Sequence, residues 1–245
     1  MKVLILAGGY GTRLKALGEH TPKALLDING RPLVNYILGK VEKLDGLNNV
    51  ILVTNNKFYQ TFCDWAGNEK AYSYPIDIVN DGTTTSEDRL GSIGDIDFVI
   101  TKLNIHDDLL VVGGDNLFDY NLDDFYQFAR KMTSAATIGV FDIQNLEEAK
   151  KFGVVSLDSN QKITLFEEKP QDPKSTLIAM CFYYFPKDSL SFIGQYLKET
   201  GKADRAGDYI KWLREKKDVY AFKFIGKWYD IGSLESYEEA KKNFR

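Results

Sequence analysis

Positions 6–14 read Leu6-Ala7-Gly8-Gly9-Tyr10-Gly11-Thr12-Arg13-Leu14, and they carry the strongest signal in this chain. They continue a short apolar run over residues 3–7, which is typical of a central strand buried on both faces. Glycines after such a strand let the backbone turn sharply and bring its N–H groups against phosphate oxygens, where a Cβ would block the approach. The segment therefore predicts an open α/β sheet with a phosphate-binding loop after its first strand.

Two cationic side chains support a phosphate site near this loop. Arg13 offers a fork of donors, and Lys23, in Thr21-Pro22-Lys23, offers a mobile point charge. A Gly-rich turn after a strand is also often only a turn. The dinucleotide-binding fingerprint fails because Leu14 stands where its third glycine belongs, and a Walker A loop fails because no Gly-Lys-Ser or Gly-Lys-Thr follows. A nicotinamide oxidoreductase is therefore kept only as an alternative.

Hydrophobic periodicity predicts strands that alternate with helices up to about residue 150. The strands cover residues 3–7, 50–54, 76–79 and 109–112, and the helices cover 32–44, 92–103 and 122–132. Further on, the pattern predicts a hairpin of 154–157 with 163–166, strands at 178–185 and 219–225, and helices at 188–198, 208–216 and 233–244. This order favours a mostly parallel sheet with helices on both faces, in one domain over residues 1–245.

Composition limits the classes of function. Hydrophobic residues make up 44% of the 245 residues and charged residues 27%, which is ordinary for a globular protein. The net charge of −4 gives no basic surface for nucleic acid, which we exclude as a partner. Two cysteines and two histidines cannot build a disulfide framework or a His-rich metal site. The apolar N-terminal run is too short for a signal sequence or a membrane span, so we expect a cytoplasmic protein without membrane attachment.

Two carboxylates follow predicted strands and are candidate metal ligands. Asp115, in Gly114-Asp115-Asn116, comes after a buried strand, and Asp230 lies in Trp228-Tyr229-Asp230-Ile231-Gly232, just before the last helix. Carboxylate oxygens are hard ligands of the kind that Mg²⁺ prefers. The alternatives are a turn or N-cap role for Asp115 and a helix cap at Asp230.

The run at 6–14, followed by Pro22-Lys23, resembles the signature of the sugar-1-phosphate nucleotidyltransferases, and Gly114-Asp115-Asn116 resembles their glucose-1-phosphate thymidylyltransferase branch, in a short form. The resemblance extends from the first strand to the last helix. It implies an α/β fold: a Rossmann-like nucleotidyltransferase core with a central mixed, mostly parallel sheet flanked by helices. It also implies that Arg13 and Lys23 are catalytic and that Asp115 and Asp230 hold Mg²⁺. The implied triphosphate-binding residues are Leu6, Ala7, Gly8, Gly9, Gly11, Thr12, Arg13, Lys23 and Asp115.

Three further segments resemble the sugar-phosphate pocket of that family. They are Phe152-Gly153-Val154-Val155, Glu167-Glu168-Lys169-Pro170 and the strand around Ala179-Met180-Cys181-Phe182-Tyr183. The resemblance implies that Glu168 accepts hydrogen bonds from sugar hydroxyls, that Lys169 holds the phosphate and that Gly153 leaves room for the sugar ring. Asn116, Ala179 and Tyr183 complete the implied set. We expect a nucleotide-binding part at about 1–120 and a sugar-phosphate-binding part at about 121–245. On residue type alone, Glu168 and Lys169 would form a solvated face.

The sequence determines the substrates less well than the reaction. Cys181 stands where many relatives have a glycine, and with Met180 it predicts a narrowed or reshaped sugar pocket, which leaves glucose 1-phosphate open as the substrate. Asn80 and Gly91 fit the place where the family reads the nucleobase, Asn80 through its amide and Gly91 through an unobstructed backbone. The polar insert at 82–88 matches no branch of the family.

These observations predict transfer of a nucleoside monophosphate from dTTP or UTP to a hexose 1-phosphate such as glucose 1-phosphate, with release of pyrophosphate. A sugar-phosphate oxygen, already an anion at neutral pH, would attack the α-phosphorus in line and need no general base. Mg²⁺ is the expected cofactor. The alternatives are another triphosphate, another acceptor (mannose, heptose or amino-sugar 1-phosphate, or phosphocholine) and a non-catalytic regulatory subunit of the same fold. The sequence leaves open whether the protein forms a homo-oligomer.

Overall fold

The computed structural model describes residues 1–14, 16–69 and 72–244, apart from the side chains of Arg13 and Ala16. The strands are β1 Lys2–Ala7, β2 Asp27–Ile28, β3 Arg31–Pro32, β4 Asn49–Thr54, β5 Ile76–Asn80, β6 Leu109–Gly113, β7 Asn116–Phe118, β8 Ala136–Asp142, β9 Gly153–Leu157, β10 Ile163–Glu168, β11 Leu177–Phe185, β12 Val219–Phe224 and β13 Trp228–Asp230. The helices are α1 Ala16–His20, α2 Leu33–Val41, α3 Tyr59–Asn68, α4 Gly91–Lys102, α5 Leu122–Lys131, α6 Leu146–Ala149, α7 Ser191–Thr200, α8 Ala206–Lys216 and α9 Leu234–Asn243.

The chain folds into two compact units, each built from separate stretches of sequence. The first unit comprises Met1–Leu90, Val112–Leu122 and Gly226–Arg245, and the second comprises Gly91–Val111 and Asp123–Ile225. Membership of a unit thus follows tertiary contacts rather than position along the chain. The single domain over residues 1–245 and its two parts, at about 1–120 and 121–245, stay predictions.

The first unit places the ends of three parallel strands side by side. β4 lies between β1 and β5 and runs parallel to both, with Val50 opposite Val3 on one side and Ile76 on the other. All six residues of β4 are buried, as expected for a parallel strand covered on both faces. Because parallel strands end at the same edge, the segments that follow β1, β4 and β5 lie close together.

A hydrophobic cluster holds the far end of the Gly-rich loop. Leu14 is 1% exposed and packs with residues of β7, α9 and the β2–β3 hairpin. The other buried members of this cluster are Leu26, Ile28, Leu33, Leu117, Ile231, Tyr237, Ala240 and Phe244. The loop between Ala7 and Leu14 is therefore fixed at both ends, by β1 on one side and by this cluster on the other.

The second unit mixes parallel and antiparallel pairing. β8 is antiparallel to β11 and parallel to β12, and β9 pairs with β10 and β11. The hairpin predicted at 154–157 and 163–166 is confirmed, and Asp158 closes its turn by accepting hydrogen bonds from the N–H groups of Asn160 and Lys162. Helices α4, α7 and α8 contact one another.

The predicted strands and long helices are confirmed with small shifts, and the α/β class with them. The helix expected from 188 begins at Ser191 because Lys187–Ser189 forms a 3₁₀ turn. Besides the shortest strands and helices, two longer elements, α3 and β8, were missed. In α3 only Phe62 is buried, so its apolar periodicity is weak. In β8 Gly139 interrupts the apolar run, although a Cβ there would lie 2.7 Å from the Phe224 ring.

Candidate active site

At the point where the Gly-rich loop begins, three successive backbone carbonyl groups each accept a hydrogen bond. The Leu6 carbonyl accepts from the Gly114 N–H (2.9 Å), the Ala7 carbonyl from Thr54 Oγ1 (3.2 Å) and the Gly8 carbonyl from Asn55 Nδ2 (3.0 Å). The donors are the last residue of β4 and the residues that directly follow β4 and β6. The loop therefore starts from a fixed position.

Two glycines of the loop serve different purposes. A Cβ on Gly9 would meet no atom of the described chain within 4 Å, so this face of the loop is open to a ligand. Gly11 has φ of +66°, and its backbone crosses that of Gly18. A Cβ added to Gly18 would lie only 2.2 Å from the Gly11 carbonyl oxygen. Gly11 is thus required by the turn itself. Thr12 is exposed at the start of a 3₁₀ turn, and the predicted Arg13 side chain lies outside the described residues.

Lys23 and Asp115 meet beside this loop. Lys23 Nζ lies 3.4 Å from Asp115 Oδ2, and their side chains are 16% and 35% exposed. They help to line a cavity of about 60 Å³, whose walls are Leu6, Ala7, Gly9, Lys23, Ala24, Gly114 and Asp115. Gly114 permits this approach, because a Cβ there would lie 2.9 Å from the Leu6 carbonyl oxygen. The structure thus brings together five of the residues predicted to bind nucleotide.

The two predicted metal ligands are joined by a short antiparallel ladder. In the pairing of β7 with β13, Asn116 stands opposite Asp230, and the Ile231 N–H donates to the Asp115 carbonyl (2.9 Å). Asp115 and Asp230 are therefore neighbours across this ladder, although they are far apart in sequence.

Asp230 does not cap the last helix, which was the alternative role for it. The N-cap of α9 is Ser233, whose hydroxyl accepts from the Ser236 N–H in a reciprocal capping box. Asp115 lies in the turn between β6 and β7, so of its two alternative roles the structure shows the turn and not the N-cap.

The donor chemistry of these two carboxylates matches what Mg²⁺ prefers. Across residues 1–14, 16–69 and 72–244, no group of three or more His, Cys, Asp or Glu side chains is arranged to hold a metal ion. A site of two carboxylates would be completed by water and phosphate oxygens, which is the usual environment of Mg²⁺ in nucleotide enzymes. A softer metal would call for Cys or His donors.

Asn116 and Asn80 were predicted to contact substrates, and the structure gives both side chains protein partners. Asn116 is 1% exposed; its amide donates to the Gly113 carbonyl and accepts from Trp228 Nε1 (2.7 Å). Asn80 accepts from the Gly82 N–H and donates to Asn56 Oδ1. Both residues hold their own turns in place, and their substrate contacts stay predictions.

Gly91 opens α4 with φ of +80°, and the space beside it is occupied by the protein's own backbone. A Cβ on Gly91 would lie 2.3 Å from Asp204 Cα. The carbonyls of Ala203 and Asp204 accept from the first N–H groups of α4, at Ser92 and Ile93. The close backbone approach expected at Gly91 is therefore to residues 203–204, and a nucleobase contact stays a prediction.

In the second unit Glu168 lies in a tight cradle formed by Gly153, Phe166 and Gly207. Glu168 is opposite Gly153 in the β9–β10 ladder. A Cβ on Gly153 would lie 2.5 Å from the Phe166 ring, and one on Gly207 would lie 2.0 Å from Glu168 Oε2. The space that glycine leaves at 153 is thus occupied by Phe166 and Glu168, and a contact of Gly153 with a sugar ring stays a prediction.

The carboxylate in this Glu168 cradle is held by packing. No hydrogen bond joins it to another group of the chain in the part that the structure describes. Burial raises the pKa of Glu168, Lys169 and Arg205 oppose that rise, and Asp208 adds to it. Lys169 follows with φ of +50°, an uncommon backbone conformation for lysine of the kind that concentrates at functional sites.

Neighbouring residues of β11 differ in burial. Ala179 and Cys181 are half-buried, whereas Met180 is 1% exposed on the other face. Burial raises the pKa of Tyr183 well above its ordinary value, and the nearby Cys181 and Glu168 reinforce the effect. Of the two larger side chains predicted to reshape a sugar pocket, only Cys181 is therefore on the face shared with Tyr183.

A sequence model of nucleotidyl transferases matches residues 2–245. The chain belongs to the nucleotidyl transferase family. It is therefore an enzyme of the class that transfers nucleotidyl groups, as predicted.

Solved structures share the fold of this nucleotidyl transferase. A protein described as a glucose-1-phosphate thymidylyltransferase from Bacillus anthracis, solved with sucrose, has a TM-score of 0.80 at 22% identity, over 99% of this chain and 94% of that one. UDP-glucose pyrophosphorylase with UDP-glucose has a TM-score of 0.83 at 23% identity, and its apo form 0.83 at 22%, each over 99% of this chain and 97% of that one. At these identities the likeness shows the fold alone, and it confirms the predicted core with its mixed, mostly parallel sheet.

Four residues of this nucleotidyl transferase that support the site were missed from the sequence: Thr54, Asn55, Gly18 and Gly207. Thr54 and Asn55 had a signal, since polar residues at the end of a buried strand and directly after it point to the ligand-binding edge of the sheet. Gly18 and Gly207 had none, because each is required by a contact with a distant segment.

Within the described ranges, no helix is both long and apolar enough to cross a membrane.

Proposed function

We propose that this nucleotidyl transferase joins the nucleoside monophosphate of dTTP or UTP to a hexose 1-phosphate such as glucose 1-phosphate and releases pyrophosphate. The observation that carries the proposal is the Lys23–Asp115 pair in a cavity lined by the Gly-rich loop, with Asp230 adjacent across the β7–β13 ladder. A cation, carboxylates and a loop backbone that is unobstructed at Gly9 together suit a triphosphate. The fold shared with proteins described as acting in glucose-nucleotide chemistry supports the choice of acceptor.

In the proposed reaction, a phosphate oxygen of the sugar phosphate bonds to the α-phosphorus while the bond from that phosphorus to the bridging oxygen of pyrophosphate breaks. The nucleophile is already an anion at neutral pH, so no residue needs to remove a proton. The chain's task is to bring two anions together and to offset the charge that develops at the α-phosphate. We assign that task to Lys23, to Arg13 and to the N–H groups of the Gly-rich loop.

Asp115 and Asp230 would hold Mg²⁺, which, when bound, neutralises phosphate charge and polarises the α-phosphate. Lys23 then has two partners, Asp115 and the phosphate, and its 3.4 Å separation from Asp115 leaves it able to turn towards an anion. Asn116 keeps Asp115 in place through its bonds to the Gly113 carbonyl and to Trp228.

The acceptor would be bound by the second unit. The carboxylate of Glu168, without a hydrogen bond in the described part of the chain, would accept from sugar hydroxyls, and exposed Lys169 would pair with the phosphate. Ala179, Cys181 and Tyr183 would shape the space for the ring. We propose that the enzyme works in the cytoplasm, and whether it forms a homo-oligomer stays open.

The test is pyrophosphate release with Mg²⁺ across dTTP, UTP, CTP, ATP and GTP, each paired with glucose, galactose, mannose, heptose and amino-sugar 1-phosphates. We expect the strongest signal with dTTP or UTP and glucose 1-phosphate. A strong signal at another pair would correct the substrates and keep the reaction. Triphosphate binding without release at any pair would favour a non-catalytic subunit, and folded protein that binds no triphosphate would overturn the proposal.

A further inference from the structure

Tyr10 is joined by hydrogen bonds to the segment after β5. Tyr10 Oη donates to Thr83 Oγ1 (3.0 Å), and Thr83 donates in turn to Asp81 Oδ1 through both its hydroxyl (2.8 Å) and its N–H (2.7 Å). Asp81 and Thr83 are 8% and 5% exposed, so these bonds are shielded from water. The partner of Tyr10 is therefore a buried, fixed group rather than a mobile surface side chain.

The same network returns to the start of the Gly-rich loop. The Asp81 N–H donates to the Thr54 carbonyl (2.8 Å), the Asn56 N–H donates to the Thr83 carbonyl (2.9 Å), and Thr54 Oγ1 donates to the Ala7 carbonyl (3.2 Å). Hydrogen bonds thus run from the end of β1 to the end of β4, then to the end of β5, and back through Tyr10 to the loop that follows β1. The ring of contacts closes at Tyr10.

The anchor of Tyr10 is itself made rigid by a second set of bonds. The Asp88 carboxylate accepts from the N–H groups and from the hydroxyls of Thr84 and Thr85, at 2.8–3.2 Å. These bonds, led by those from the backbone, lower the pKa of Asp88. The polar insert at 82–88, which matched no branch of the family, therefore contains a turn that is held by hydrogen bonds to Asp88.

Tyr10 stands between Gly9 and Gly11, the two positions at which the loop backbone has the most freedom. Glycine loses more conformational freedom on ordering than any other residue, so a loop with three glycines is costly to hold in one shape. The Gly8 carbonyl and Leu14 fix the two ends of the loop. We propose that Tyr10 is a positioning residue, which holds the middle of the Gly-rich loop in its triphosphate-binding shape by bonding to Thr83.

This inference rests on the proposed function, since it concerns binding of the same triphosphate. If only part of the molecules hold the competent loop shape, the apparent affinity falls by that fraction. Loss of one net hydrogen bond would therefore weaken triphosphate binding by about threefold to tenfold. The Michaelis constant for the triphosphate should rise by the same factor, while that for the sugar phosphate stays unchanged.

The experiment compares Tyr10→Phe, Thr83→Val and the double variant with wild type. The readouts are triphosphate affinity by calorimetry, the two Michaelis constants, and hydrogen exchange of the backbone over residues 8–14 without ligand. We expect each single variant to weaken binding and to speed exchange of the loop, and the double variant to be no worse than Thr83→Val. Tyr74→Phe is the matched control, because it also removes one hydroxyl bond, to the Leu38 carbonyl, before the start of β5.

Wild-type affinity and wild-type exchange in Tyr10→Phe would overturn the inference, and so would additive losses in the double variant. The exchange measurement needs no ligand and no turnover. If the wild-type chain binds no triphosphate, the proposed function fails, and faster exchange confined to the loop in Tyr10→Phe still decides whether Tyr10 holds it. Rescue of Thr83→Val by Thr83→Ser, which restores a hydroxyl, is the further result expected.

Discussion

The Gly-rich loop of the first unit and the Glu168 cradle of the second are held by different forces. The loop is fixed by hydrogen bonds from the ends of neighbouring strands, through Thr54, Asn55 and Thr83. Glu168 is fixed by contact with Phe166 and with two glycines that leave no room for a Cβ. One region is built from satisfied polar groups and the other from close packing around a half-buried carboxylate.

The difference teaches how each region can meet a ligand. The carbonyls of the loop are bonded when the protein folds, so binding an anion requires little rearrangement there. The Glu168 carboxylate is partly desolvated without a compensating hydrogen bond, which is unfavourable until donors arrive. Sugar hydroxyls would be such donors. The first region is thus prepared during folding, and under the proposed function we expect the second to be completed by its substrate.

The largest effect is expected from removing the charge of Asp115. Asp115→Asn should lower kcat by roughly 100-fold or more, because charge stabilisation at the reacting phosphate is lost. Pyrophosphate release under saturating substrates measures this. Asp119→Asn is the control, since it makes the same change four positions on while keeping an acceptor for the Lys227 N–H. Equal activity of both variants would contradict the role of Asp115.

The next largest effect tests the hydrogen-bonded region through stability. Asn55 is fully buried; it donates to the Gly8 carbonyl and accepts from the Phe58 N–H. Asn55→Ala should lower the free energy of unfolding by about 2 kcal/mol and also weaken triphosphate binding, because buried partners are left unsatisfied. Chemical denaturation and calorimetry measure the two effects.

Asn49→Ala is the control for Asn55→Ala. Asn49 lies at the other end of β4, where it donates to Asp77, so its loss should lower stability and leave triphosphate affinity unchanged. If the two variants weaken binding equally, the loop does not depend on Asn55.

The sequence predicted much of the structure of the first region and less of that of the second. An apolar run ending in glycines predicts both β1 and its loop, because each depends on local residue types. The neighbouring positions of Asp115 and Asp230 came from the family resemblance, and the ladder of β7 with β13 gives the physical reason. Both strands have only three residues, too few for periodicity to predict.

What the sequence missed depends on distant contacts. Gly207 is required because Glu168, on another element, occupies the place of its Cβ, and nothing around position 207 indicates this. Gly139 looks like an interruption of a strand, yet it lets β8 pack against Phe182 and Phe224. Asn116 and Asn80 have the residue types of ligand-binding groups, and their protein partners become visible only in the fold.

A smaller effect is expected at Glu168, with a dependence on pH. Folding raises the pKa of this carboxyl, so its ionisation destabilises the folded protein as pH rises from the ordinary carboxyl value through the raised one. Glu168→Gln should therefore be more stable than wild type at pH 7.5, and the difference should shrink as the pH falls. The same variant should raise the Michaelis constant for the sugar phosphate by about tenfold, through loss of a charged acceptor.

Glu167→Gln is the matched control, because Glu167 is the neighbouring carboxylate on the opposite face of β10. It should leave the Michaelis constant for the sugar phosphate unchanged. A stability difference for Glu168→Gln that grows on acidification would contradict the assigned cause of the pKa shift.

The smallest effect is expected from Gly207→Ala, which should change the position of Glu168 in its cradle without lowering the stability of the protein. In Gly207→Ala the new Cβ would lie 2.0 Å from Glu168 Oε2, which is the end of a flexible side chain and can move aside. Alanine is also the better helix former, by about 1 kcal/mol, so the free energy of unfolding should not fall. The displaced carboxylate should raise the Michaelis constant for the sugar phosphate roughly threefold, since part of its hydrogen bonding survives.

Gly194→Ala in α7 is the control, because its Cβ would make only an ordinary 3.4 Å contact with Asp97. If Gly207→Ala binds the sugar phosphate as wild type does, the position of Glu168 is not set by the glycines, and the contrast between the two regions loses its physical basis.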